Sequence, residues 1–292
     1  MKLALSFAVA LVAAAQTPLD GVIDIHAHSD PDAVPRSIDA VDLARLAKER
    51  GMRGVVLKSH YEPTATLAAA VRKVVPGVEV FGGIDLNRSV GGINPVAVER
   101  MASIKGGWGR VVWMPTFDAE NQVRFSKDKR PFVPVAKNGK LVPEVAQVIA
   151  VAVKYKLMLE TGHSSPAEAL MIIREANRQG LEHVVVTHAM LAPVSMTIAQ
   201  MQEAAKAGAF LEFVYNGLTG REKSFEFKDY AAAIRAVGAR SCILSSDMGQ
   251  AANPLHPDGL TAFFTGLLKE GIPQADIELM SRTNPARALG LQ

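Results

Sequence analysis

The chain has 292 residues, 49% of them hydrophobic and 21% charged, with a formal net charge of +3. That length and apolar content exclude a disordered chain and suffice for one α/β barrel or two small domains. The small net charge, spread over scattered Lys and Arg, excludes a nucleic-acid footprint. The densest basic run, Lys127-Asp128-Lys129-Arg130, is broken by an acid and reads as a solvated loop.

The chain opens with Lys2, an apolar run over 3–15 and the small residues Ala13-Ala14-Ala15. This run is too short to span a bilayer and predicts a signal peptide over residues 1–15, with a mature chain beginning near Gln16. The alternative is an N-terminal helix or an uncleaved anchor. Export to the periplasm or outside the cell is expected, with no membrane association after cleavage. Loss of Lys2 would take the charge from +3 to +2. The single cysteine, Cys242, has no partner for an internal disulfide and reads as a buried small hydrophobe.

From residue 16 onward, eight apolar strand-like runs alternate with helical patterns. The strands are expected at 21–26, 53–58, 78–84, 110–114, 156–161, 183–187, 209–214 and 242–246. Helices are expected at 37–50, 64–74, 95–104, 143–155, 165–179, 195–207, 227–237 and 259–270, and a closing helix at 273–289. Eight βα units with continuous apolar strands predict a (β/α)8 TIM barrel in a single domain over 16–292; a doubly wound sheet with a cap domain is the competing architecture. Gly51, Gly180, Gly208 and Gly238 stand where left-handed helix caps are wanted, and Thr64, Ser165 and Ser195 where N-caps are expected. The connection 115–142, after the fourth strand, carries no helical period. Its Lys137-Asn138-Gly139-Lys140 stretch predicts a hairpin within an insertion over the active face.

Five of the seven histidines fall at or just beyond predicted strand ends: His26, His28, His60, His163 and His188. Asp247 follows the eighth strand. In an α/β barrel the C-terminal rim gathers such residues into one bowl. Alternation along a strand puts His26 and His28 on one side, with Asp24 expected one layer deeper on the same face.

Asp24-Ile25-His26-Ala27-His28, Thr161-Gly162-His163, Thr187-His188, Ser246-Asp247 and the closing segment Thr283-Asn284-Pro285-Ala286-Arg287-Ala288-Leu289-Gly290-Leu291 resemble the amidohydrolase superfamily of metal-dependent barrel enzymes. The resemblance spans nearly the whole mature chain. It implies that His26, His28, His163 and His188 are metal ligands or their neighbours, and that Asp247 is both ligand and proton-transfer group. Imidazoles and a carboxylate suit Zn2+, with Mn2+ or Co2+ as alternatives, and such an ion lowers the pKa of a bound water to about 7. Asp247 would take that water's proton, and the ion or His188 would polarise the electrophile.

The resemblance implies that a two-ion centre would be bridged by a carboxylated lysine or a glutamate from the fourth strand, which here ends Val112-Trp113-Met114-Pro115-Thr116, so one ion is expected, two being the alternative. Lys58 shares parity with His60 and reads either as a carboxylated bridge or, preferentially, as a cation for a substrate carboxylate, with Glu160 the only acid nearby. His60 is a substrate-binding or supporting candidate. Glu212 and Asn216 end the seventh strand. Trp113 and Met114 read as packing, His256 as an exposed loop residue, and His183 as lying at the opposite end of the barrel.

The expected function is hydrolysis of an amide, cyclic amide, lactone or ester of a small molecule. A metal-dependent decarboxylase on the same scaffold and an exported non-catalytic metal- or ligand-binding protein are the alternatives. Homo-oligomerisation is left open by the sequence.

Overall fold

The computed structural model describes residues 18–291. The signal-peptide segment and its cleavage point lie outside the described residues.

Eight parallel strands form a nearly closed barrel in chain order: β1 (Ile23–His28), β2 (Gly54–Lys58), β3 (Glu79–Asp85), β4 (Gly109–Trp113), β7 (Met158–Glu160), β8 (Val184–Val186), β9 (Phe210–Val214) and β10 (Cys242–Ser245). Closure comes from residues just beyond β10: the Asp247 amide donates to His26 O (2.9 Å) and the His28 amide to Met248 O (3.0 Å). Outside the barrel pack α1 (Ala40–Glu49), α2 (Ala65–Val74), α3 (Pro95–Ala102), α5 (Pro143–Tyr155), α6 (Pro166–Gln179), α7 (Ile198–Lys206), α8 (Phe227–Val237) and α9 (His256–Lys269). This is the TIM barrel that the alternation of apolar runs predicts.

Strand parity divides the core into two layers. Ile23, Ile25, Val56, Phe81, Val111, Trp113, Met158, Val185, Phe210 and Ile243 cluster with one another inside the barrel, and Ala286, Ala288 and Leu289 plug it from below. Val22, Ala27, Val55, Leu57, Leu159, Leu211 and Leu244 belong instead to the layer beneath the helices. Two residues beyond the interior apolar layer, on the same faces, come Lys58, Glu160, Glu212 and Ser245, all buried. The barrel is therefore apolar at its base and ionic at mid-height. Close packing at this level is tight: a Cβ on Gly83 would come within 2.5 Å of the Trp113 ring.

β1 breaks the parity. Its pairing with β2 shifts between Asp24 and Ala27, so Ile23 and Ile25 face inward while Ala27 faces the helices. The bulge brings His26 and His28 into the bowl but leaves Asp24 out of phase with them. Asp24 is accordingly not one layer deeper on the histidine face. Its Oδ1 accepts the amides of His26 (3.2 Å) and Ser246 (3.0 Å) and ties β1 to the end of β10.

Other expectations need correction. The connection after β4 contains a short helix, α4 (Glu120–Phe125), before the hairpin β5 (Ala136–Lys137) and β6 (Lys140–Leu141) turns at Asn138-Gly139. Six residues are too few to display a helical period. The closing helix is interrupted, with α10 (Gln274–Glu278) and α11 (Asn284–Ala288) separated by a π-helical turn, Leu279–Thr283. Ser165 caps α6, but Thr197 rather than Ser195 caps α7. The Thr64 hydroxyl caps nothing, because it donates to Leu57 O (2.7 Å) and accepts the Gly83 amide (2.9 Å).

Candidate active site

The rim residues converge. Asp247 Oδ1 lies 3.2 Å from His26 Nε2 and 3.3 Å from His28 Nε2, and ligand atoms of these three residues all fall within 4.8 Å of one another. His188 stacks on His26 with ring centroids 6.1 Å apart, His163 lies 4.9 Å from His188, and His60 lies 4.8 Å from His28. The five histidines thus line one bowl. His163 and His188 stand beside the compact group of His26, His28 and Asp247 rather than within it.

Four of the five imidazoles are held through Nδ1. His26 Nδ1 donates to Glu212 Oε1 (3.1 Å), His28 Nδ1 to the Lys58 carbonyl (3.1 Å), and His163 Nδ1 to Gln122 Oε1 (2.7 Å). His60 Nδ1 meets Thr116 Oγ1 at 2.9 Å. Because Nδ1 donates in the first three, Nε2 is left as an acceptor in neutral His28 and His163, and in His26 once it gives up its second proton. Gln122 and Asn121 belong to α4, and Asn121 Nδ2 donates to His163 O (3.1 Å) and Pro193 O (2.9 Å). The unforeseen helix therefore reaches over the rim to hold one of the histidines.

Backbone geometry aims two of the side chains. His188 and Asp247 adopt φ of 26° and 50°, a region costly for residues other than glycine, and both sit just past strand ends. Asn216 Nδ2 donates to Asp247 Oδ2 (3.2 Å), which steadies the second carboxylate oxygen.

The bowl stands on buried charge. Asp24, Asp85, Glu160, Glu212 and Asp247 are buried there, and Lys58 is the buried lysine among the described residues. Lys58 Nζ lies 3.2 Å from His26 Nε2 and 5.1 Å from the centre of the Trp113 ring. Glu160 is therefore not the only acid near Lys58. Glu212, one of the others, also accepts Ser245 Oγ (2.6 Å) and the His188 amide (2.8 Å). Its position two residues after the interior Phe210 was the available sequence signal. His256 likewise departs from expectation: it is fully buried in the first turn of α9 and makes no well-formed hydrogen bond.

Burial drives the titration behaviour. It pushes His28 down to about 3 and His188 to about 4, and holds His60 and His163 well below the ordinary imidazole value. Burial would lower His26 too, but Asp247 and Glu212 outweigh it and raise His26 to about 9. Burial and the neighbouring Glu212 raise Glu160 to about 8, and burial raises Asp85 to about 6. Asp247 stays well below the carboxylate range because its histidine neighbours overcome burial. The cluster demands positive charge while most of its imidazoles stay neutral, which is the state that binds a metal. Glu160 Oε1 and His188 Nδ1, both buried, have no hydrogen-bond partner among the described residues. This donor set fits a divalent cation.

The barrel has the fold of solved structures that include an amidohydrolase, a phosphotriesterase homology protein and a lactonase. Similar structures include an amidohydrolase from Pseudomonas aeruginosa, at 12% identity and TM-score 0.63 over 94% of this chain and 98% of that one. A phosphotriesterase homology protein from Escherichia coli, with phosphate in its active site, matches at 16% identity and TM-score 0.62 over 93% and 99%. A lactonase from Listeria monocytogenes matches at 14% identity and TM-score 0.62 over 94% and 97%. No curated protein matches the chain. Residues 21–212 match DUF6282, a family of unknown function, and the chain belongs to that family.

Proposed function

We propose that the chain is a metal-dependent hydrolase acting at a carbonyl carbon of a small molecule: an amide, cyclic amide, lactone or ester. The convergence of His26 Nε2, His28 Nε2 and Asp247 Oδ1 at the C-terminal rim carries this reading. Those three residues would hold the ion, with His163 and His188 completing its surroundings. When bound, such an ion supplies Lewis acidity and a water acidified to a pKa of about 7.

The chain's own residues supply the rest. Glu212 and the Lys58 carbonyl hold His26 and His28 in the tautomer that leaves Nε2 free. Asp247 is the carboxylate placed to accept a proton during attack and return it to the leaving group. His188 is the candidate donor to the substrate carbonyl oxygen. His60, stacked on Phe117 beside His28, and Lys58, beside His26, are the candidate substrate-binding residues, and Gln122 of α4 holds His163.

Metal analysis and activity test the reading together. Protein expressed with added Zn2+, Mn2+ or Co2+ is expected to hold about one equivalent and to hydrolyse members of a lactone, ester and amide panel. Asp247→Asn should lower that turnover by about 10²- to 10⁴-fold. Less than about one-tenth equivalent of any transition metal would sink the proposal.

Export belongs to the same proposal, supported by Lys2, the apolar run and Ala13-Ala14-Ala15. Intact mass of protein exported by a Gram-negative host should give a chain starting near Gln16. Full-length protein confined to the cytosol would refute it.

A further inference from the structure

We propose that Asn253 is a positioning residue of the bowl, which acts through Asn216 and Gln250 to hold the carboxylate of Asp247 against His26 and His28. The inference rests on the reading of those three residues as metal ligands, and it extends the centre to two residues of the loop after β10.

Four residues close a ring of hydrogen bonds. Asn216, in the turn after β9, donates from Nδ2 to Asp247 Oδ2 (3.2 Å), and its main-chain amide donates to Ser246 O (3.1 Å). Asn253 Nδ2 donates to Asn216 Oδ1 (3.0 Å) and to Gln250 Oε1 (3.0 Å). Gln250 Nε2 donates in turn to the main-chain oxygen of Asp247 (2.9 Å). The ring thus leaves Asp247 at its carboxylate and returns to it at its backbone.

Only one arrangement of donors and acceptors satisfies this ring. A carboxamide has a donor end and an acceptor end of nearly equal size, and its partners alone fix which way round it sits. Asp247 offers an acceptor at both points, a carboxylate oxygen and a carbonyl. Asn216 and Gln250 must therefore each turn nitrogen toward Asp247, and both present oxygen to Asn253. Asn253 meets the two oxygens with the two hydrogens of one Nδ2. Aspartate at this position would set acceptors against acceptors, and an apolar residue would leave both amides free to turn.

The oxygen of Asp247 outside the ring is the one that faces the histidines. Oδ1 lies 3.2 Å from His26 Nε2 and 3.3 Å from His28 Nε2, while Asn216 holds Oδ2. Asp247 also sits at φ 50°, costly for a residue other than glycine, and the Gln250 bond grips the carbonyl of that same residue. Asn253 is itself confined, since a Cβ on Gly220 would collide with its Oδ1. Without Asn253, the Asn216 amide is free to turn its own oxygen to Oδ2 and push the carboxylate off the histidines.

Zn2+ affinity, measured by competition with a calibrated chelator, tests this without reference to turnover. Asn253→Leu should weaken Zn2+ binding about tenfold at unchanged stoichiometry. In an Asn216→Ala background the same change should have no further effect, because the two residues act in series. A merely structural residue would lower Tm, leave the affinity in place and contribute independently of Asn216. If Asn253→Leu does not fold, Asn253→Ala, with room for water in its place, makes the same comparison. Absence of Zn2+ binding by the parent, unchanged affinity in the folded variant, or equal losses with and without Asn216 would overturn the proposal. Failure of the hydrolase reading looks different: the coupled loss of Zn2+ affinity would stand while the parent hydrolyses no ester, amide or lactone.

Discussion

Glu212 holds His26 from across the barrel: its Oε1 accepts Nδ1 at 3.1 Å, joining β9 to β1 over 186 residues of sequence. The same carboxylate accepts Ser245 Oγ and the His188 amide, so one buried side chain sets the orientation of two bowl histidines. Glu212→Gln keeps the shape but substitutes a neutral amide for the charged acceptor. Metal affinity should fall by about 10- to 100-fold with the barrel intact. Competition with a calibrated chelator measures this, and unchanged affinity would remove Glu212 from the centre.

Lys58 is 1% exposed, amid buried acids, with Nζ 3.2 Å from His26 Nε2. Its removal leaves uncompensated buried charge, so Lys58→Met should destabilise the metal-free protein by about 3–5 kcal/mol. Metal content is expected to stay near one equivalent per chain. A parent holding two equivalents that falls to one in Lys58→Met would instead identify a carboxylated bridging lysine. Denaturant melts and elemental analysis of the same preparations decide between them.

Chelation should be most damaging at alkaline pH. In the metal-free protein Glu160 is raised to about 8 and His26 to about 9, so the native state retains protons that the unfolded chain has released. Stability therefore falls as pH rises from about 6.5 through those values. A bound cation replaces the protons and removes the dependence. At ligand near 1,000 times its Kd the ion adds about 4 kcal/mol, roughly 10 °C in Tm. The gap between chelated and loaded Tm should widen from pH 6.5 to 8.5; a constant gap would refute this account.

His256 contributes at the acid end. Its folded value is lowered to about 4 by burial, so it remains neutral in the native state where the unfolded imidazole is charged. The associated stability is present above about 6.5 and is lost as pH falls toward 4. His256→Leu should lessen the loss between pH 7 and pH 4 by up to about 3 kcal/mol. Paired urea melts of parent and variant supply the difference, and parallel pH profiles would contradict it.

The order of the elements was legible because parallel strands buried on both faces are written as apolar runs, and the helices between them carry their own period. The bowl histidines and Asp247 were legible for a related reason: strand ends map onto one rim whatever lies between them in sequence. Short-range chemistry was readable too, as at Ser165, whose hydroxyl and Glu168 close a capping box within three residues.

What the tertiary structure decided depends on contacts without a local signature. The β1 bulge moves Asp24 off the histidine face because register is set by the neighbouring strand, not by β1 itself. The helix α4 is too short to announce itself, yet it supplies Gln122 to His163. His256 reads as loop in a stretch of Asn and Pro, and packing alone buries it. Lys58 is apparent from its sequence only as a charge of the right parity; its place among buried acids such as Glu160 and Asp85 exists only once the strands that carry them enclose one barrel interior. Residue type and period determine which elements form and which residues reach the rim. The pairing of charges across the barrel, and with it the demand for a cation, arises only when burial removes water from all of them at once.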